Sequence, residues 1–67
     1  MDEEILSKKL PIKNKMFFFD LKSNPNGVYL KITEKVGGNK DFIIIPDSGI
    51  VEFRDMINEI IESQDLG

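Results

Sequence analysis

The sequence predicts an α+β fold: a four-stranded antiparallel sheet followed by one C-terminal helix. Three observations carry this. Short apolar segments alternate with turn signals through the first two thirds of the chain. Pro46-Asp47-Ser48-Gly49 then interrupts the pattern. After that break the apolar spacing changes from strand-like to helical.

The elements follow in order. Ile5–Leu10 reads as a short first strand, stopped by Pro11. Met16–Lys22 and Val28–Lys35 are rich in aromatic and β-branched residues and read as the second and third strands. Gly37-Gly38-Asn39 is a turn signal before the fourth, Lys40–Ile45. Ser48 is the expected helix N-cap, with Glu52 in the first turn, where the helix dipole favours an acid. Phe53, Met56, Ile57, Ile60 and Ile61 then form an apolar stripe, with Arg54, Asp55, Asn58, Glu59 and Glu62 on the other face. That stripe is expected to cover one face of the sheet, as core or as a dimer interface.

The central hairpin yields a register. A loop of Asn24-Pro25-Asn26-Gly27 sets Ser23 opposite Val28, Lys22 opposite Tyr29, Asp20 opposite Lys31 and Phe18 opposite Thr33. A tighter Asn26-Gly27 turn would place Pro25 in the ladder and Lys22 across from Lys31, two unfavourable arrangements. Either way one face holds Phe17, Phe19, Leu21, Val28, Leu30 and Ile32 and is core. The other holds Phe18, Asp20, Lys22, Tyr29, Lys31, Thr33 and Lys35.

Composition narrows the function. With 67 residues the chain is one domain, too small to bury much core alone, so pairing with a second copy is expected. It has no cysteine and no histidine, hence neither a disulfide nor a structural zinc site. The paired acids of the helix come with no base or nucleophile, so neither an enzyme, a cofactor nor a small-molecule substrate is expected. The missing cysteines and the lack of an apolar run near 20 residues suit an intracellular, cytoplasmic or nucleoid-associated protein away from membranes. The net charge of −3 hides an asymmetry. Residues 1–4, expected as a flexible acidic tail, carry −3; residues 5–45 carry eight lysines against Asp20, Glu34 and Asp41; residues 46–67 carry Arg54 against six acids. A polyanion should therefore approach the open sheet face, away from the acidic helix. Aromatic rings among lysines on a sheet are how single-stranded nucleic acid is held by stacking and backbone charge.

The segments "FFFDLKSNPNGVYLKITE", "GGNK" and "VEFRDMINEIIE", in this order from Met16 onward, resemble the PUR repeat of the purine-rich-element-binding proteins. The resemblance implies four antiparallel strands and a helix, with two repeats intertwined by helix exchange in a Whirly-like unit. One repeat per chain, as in the bacterial type, implies a homodimer; one repeat of a multi-repeat protein is the other arrangement the family uses. The implied ligand is purine-rich single-stranded DNA or RNA, with local strand separation of duplexes, in a transcription-regulating role. The family's motif falls on Lys22, Asn24, Asn26, Gly27 and Tyr29: Lys22 and Asn24 for backbone and base edges, Tyr29 for stacking or strand separation. Asn26 stands where the family usually has a basic residue, and Phe42 where basic or polar residues are common.

Beside these, Lys31, Lys35, Asn39 and Lys40 are candidate nucleic-acid contacts. Phe18 is a second stacking ring or a dimer contact. GGNK lacks the spacing of a phosphate-binding P-loop and is a hairpin turn first. The rival reading is a dimeric protein-interaction module that uses Phe18, Tyr29 and Phe42 to hold a polypeptide.

Overall fold

The computed structural model describes residues 2–66. It is a meander of four antiparallel strands, β1 (Glu3–Ile12), β2 (Lys15–Asn24), β3 (Gly27–Val36) and β4 (Asn39–Pro46), ordered β1-β2-β3-β4 across one sheet. A single 3₁₀ turn, Asp47–Gly49, leads into helix α1 (Ile50–Ser63). The α+β class and the element order are as expected from sequence.

The central hairpin has the expected register, with Phe18, Asp20, Lys22 and Ser23 opposite Thr33, Lys31, Tyr29 and Val28. The ladder runs one pair further, to Asn24 and Gly27, so that Pro25 and Asn26 alone form the loop. Proline at the first loop position needs no N–H in the ladder. The β3–β4 loop is likewise two residues, Gly37-Gly38, with Val36 opposite Asn39. Gly37 has φ +57°, the left-handed region that disfavours a Cβ. Gly37→Ala is expected to cost about 1–2 kcal/mol. Gly38→Ala, at a neighbouring position with open space around it and no positive φ, should be close to neutral. Urea denaturation of the two variants side by side checks this.

Three expectations are corrected. The first strand does not stop at Pro11 but runs from Glu3 to Ile12, with Pro11 opposite Met16. As β1 is an edge strand, proline's missing N–H can face solvent. Glu3 and Glu4, expected within a flexible tail, belong to β1. They pair with Ser23 and Lys22 across an irregularity at Ile5, since backbone pairing is indifferent to side-chain charge and Glu4 faces a lysine. Met1 lies outside the described residues. Ser48 does not cap α1; it lies within the 3₁₀ turn, and Gly49 precedes the helix with no side-chain cap hydrogen bond.

One further finding bears most on function. The stripe Phe53, Met56, Ile57, Ile60 and Ile61 does not close a core over the sheet within one chain. No residue of α1 is buried, and Ile57 is 46% exposed. On the sheet, Leu6, Leu10, Ile12 and Ile43 are exposed as well, and Ile45 is the one buried apolar residue among those described. Gly49 passes Ile45 closely, an ideal Cβ there lying 3.8 Å from Ile45 Cγ2, so the chain turns onto the apolar side before the helix departs. The radius of gyration is 13.6 Å, against about 11 Å for a compact domain of this length. The accessible surface is 5535 Å², against about 4,300 Å² for a compact monomer of this mass.

Candidate nucleic-acid interface

Register assigns the second face of the sheet. Lys9, Phe18, Thr33 and Phe42 form one row across the four strands, and Ser7, Asp20, Lys31 and Ile44 the next. Glu4, Lys22, Tyr29 and Pro46 form a row toward the 25–26 loop, and Pro11, Met16, Lys35 and Lys40 one toward the opposite end. This face is open: Phe42 is 57% exposed and Ile44 53%. The residues expected on it from the hairpin register are all there.

Three shallow depressions run along it. The central one, about 480 Å³, is lined by Phe18, Asp20, Lys31, Thr33, Lys40 and Phe42. Another, about 320 Å³, lies at the loop end against Asp2, Asn24, Asn26, Tyr29, Ile44 and Pro46. The third, about 390 Å³, lies at the far end against Pro11, Lys13, Met16, Phe18 and Lys35.

The lysines are disposed for an external anion. Lys31 does not pair with Asp20; its Nζ lies 4.5 Å from the centroid of the Phe42 ring. Lys9 Nζ lies 5.9 Å from that of Phe18. Lysine over an aromatic face is a weak, solvent-competed attraction, so both ammonium groups remain available to a phosphate. Lys35 and Lys40 stand directly opposite one another, a like-charge pair that opposes folding and that a bound phosphate relieves. On the other face Lys15 is already engaged, 2.9 Å from Glu34.

At the loop end, the Asn24 side-chain oxygen accepts from the Asn26 N–H at 2.9 Å and fixes the turn. The Asn24 amide N–H groups stay free to donate. Tyr29 donates its hydroxyl to Asp2. That hydrogen bond, then burial, then the charge of Asp2 raise the phenol pKa above its ordinary value. Tyr29 is therefore neutral at neutral pH, and its ring brings no negative charge to the face.

One candidate lies off this face, and several residues not singled out from the sequence lie on it. Asn39, opposite Val36, shares the register of the apolar face and is one residue out of phase with Lys35 and Lys40. Lys9, Ile44 and Asp2 belong to the open face, and so does Ser7, whose hydroxyl donates to Asp20 Oδ1 at 2.6 Å. Alternation within β1 was the signal for Ser7 and Lys9, but it assigns a face only once β1 is registered on β2.

Residues 2–64 match the model of the family described as PurA ssDNA and RNA-binding protein. The chain belongs to this family. It is 47% identical over 64 residues, 96% of its length, to Transcription factor Pur-alpha 1 of Arabidopsis thaliana. It is 44% identical over 61 residues, 90% of its length, to human Transcriptional activator protein Pur-alpha, and 41% identical over 61 residues to human Transcriptional regulator protein Pur-beta, again across 90% of the chain. These matches span 22%, 19% and 20% of the three relatives, so the chain is about one fifth as long as the PurA-family proteins it resembles. No described helix is long and apolar enough to cross a membrane.

Proposed function

We propose that this PurA-family chain binds single-stranded DNA or RNA on the open face of its sheet, as a homodimer whose copies exchange helices. The observation that carries the reading is a juxtaposition. The motif residues Lys22, Asn24 and Tyr29 share one continuous face with the trough of Phe18, Lys31, Lys40 and Phe42. In this reading Tyr29, Phe18 and Phe42 offer their rings to bases. Lys9, Lys22, Lys31, Lys35 and Lys40 hold phosphates, and Asn24 and Asn26 reach base edges or sugar. Strand separation of a duplex would follow from Tyr29 stacking on a base freed from its partner.

Fluorescence anisotropy tests this. A labelled GGN-repeat single strand is titrated at several salt concentrations, with a pyrimidine strand and a matched duplex beside it. Saturable, salt-sensitive binding that favours the purine strand is expected; equal weak binding to all three would leave only a charged surface. Lys22→Ala should weaken binding to every strand and reduce the log–log salt slope by about 0.7, the contribution of one phosphate contact on a single strand. An unchanged slope would remove Lys22 from the interface.

A second reading rests on Phe42 and Ile44, two exposed apolar side chains on the same face. They suit a polypeptide partner as well as a base. Binding to such a partner would persist at high salt and ignore added oligonucleotides.

A further inference from the structure

An acid stands in the middle of the face assigned to a polyanion. Asp20 is opposite Lys31 in the register and lines the central trough between Phe18 and Phe42. It is not neutralised there: the ion pairs among the described residues are Lys15–Glu34 and Arg54–Asp55. The Ser7 hydroxyl occupies one lone pair of Oδ1 at 2.6 Å, which orients the carboxylate and leaves Oδ2 unengaged. An ionised carboxylate only accepts hydrogen bonds. Toward phosphate it is repulsive, so it is tolerated in this trough only where the ligand presents donors.

The edges of the bases decide which ligand that is. Guanine offers N1–H and N2–H side by side, two parallel donors matched to one carboxylate. Adenine puts the N1 lone pair next to its amino group, cytosine puts N3 next to its own, and thymine or uracil flanks a single N–H with two carbonyl oxygens. Each of these turns at least one acceptor toward Asp20. Guanine also places O6 beside N1–H, on the side where a lysine such as Lys31 can donate.

We propose that Asp20 is the specificity-determining residue of the open face, accepting N1–H and N2–H of a guanine held between Phe18 and Phe42. This rests on the single-strand-binding reading and assigns the recognition of the base to one residue. It also accounts for the arrangement of Lys31, which leaves its cross-strand acid free and lies over Phe42 instead.

The test compares thymine strands that carry isolated guanine, inosine or adenine, titrated against wild type and Asp20→Asn. Inosine keeps N1–H and O6 and lacks only the N2 amino group. Wild type should bind the guanine strand about tenfold or more tightly than the inosine or adenine strand, the range of a bidentate contact. Asp20→Asn should lose most of that preference while binding the adenine and all-thymine strands as well as wild type or better, because a repulsive charge is gone. A wild type that does not distinguish guanine from inosine overturns the assignment without recourse to any variant. An Asp20→Asn protein weakened equally on every strand overturns it too, since a residue that merely ties β1 to β2 through Ser7 would behave so. If wild type binds none of the strands, the binding reading fails and the assignment falls with it.

Discussion

Tyr29→Ala is expected to bind single strands about 5- to 150-fold more weakly than wild type, the loss that follows deletion of one stacking ring. Tyr29 sits next to Gly27 and the 25–26 loop, in the same row as Lys22 and Pro46 and beside the depression lined by Asn24 and Asn26. A base entering that depression meets a ring, a fixed turn with free amide N–H groups, and a lysine for the neighbouring phosphate. The hydroxyl is held by Asp2, and a base stacked on the ring has no need of that bond. Tyr29→Phe therefore separates ring from hydroxyl. It should retain binding within a few-fold of wild type, whereas alanine should not. Anisotropy with all three proteins, after circular dichroism shows that each is folded, reads the difference. A Tyr29→Ala protein that is folded and binds as wild type does would move the interface off this end of the sheet.

Much of the fold was legible because local chemistry agreed with the global pairing. The β2–β3 register followed from two local facts: Pro25 is unsuited to a ladder, and Lys22 across from Lys31 is unfavourable. Both pointed to the pairing that the structure has. The first strand was harder. Its turn places Lys13 at φ +54° without a glycine to announce it, and Pro11 is acceptable because β1 lies at an edge, a tertiary circumstance. Asn39 illustrates the cost of a single position. A two-residue Gly37-Gly38 loop puts it opposite Val36, and a strand's period of two sends it to the face away from Lys40. Asp20 could be read in the sequence as the partner of Lys31. Only the positions of Ser7 and Phe42 show that each of the two has another neighbour.

The helix marks where the sequence stops for a different reason. Its 3.6-residue periodicity states that Phe53, Ile57, Ile60 and Ile61 must be covered, and leaves open which copy of the chain covers them. Among the described residues of one chain, none of them is buried. The accessible surface exceeds that of a compact monomer by about 1,200 Å² per chain, the size of one partner's share of an obligate dimer interface, about 1,000–2,500 Å². Excess surface of that extent, with Met56, Ile57 and Ile60 exposed on it, is what an unoccupied interface would leave. Ile57→Ala distinguishes the alternatives sharply. As a surface residue of a monomer, Ile57 would change stability by about 0.5 kcal/mol or less. Buried between two copies, it would cost about 2–5 kcal/mol, and two-fold symmetry would count that loss twice in each dimer. Wild type should therefore sediment as a dimer and melt at a temperature that rises with protein concentration. Ile57→Ala should lower that temperature markedly and weaken the dimer by three orders of magnitude or more, since each 1.4 kcal/mol is about tenfold. A wild type that sediments as a monomer, with a melting temperature independent of concentration and indifferent to Ile57→Ala, would return the helix stripe to solvent and leave the sheet to bind its ligand as a single copy.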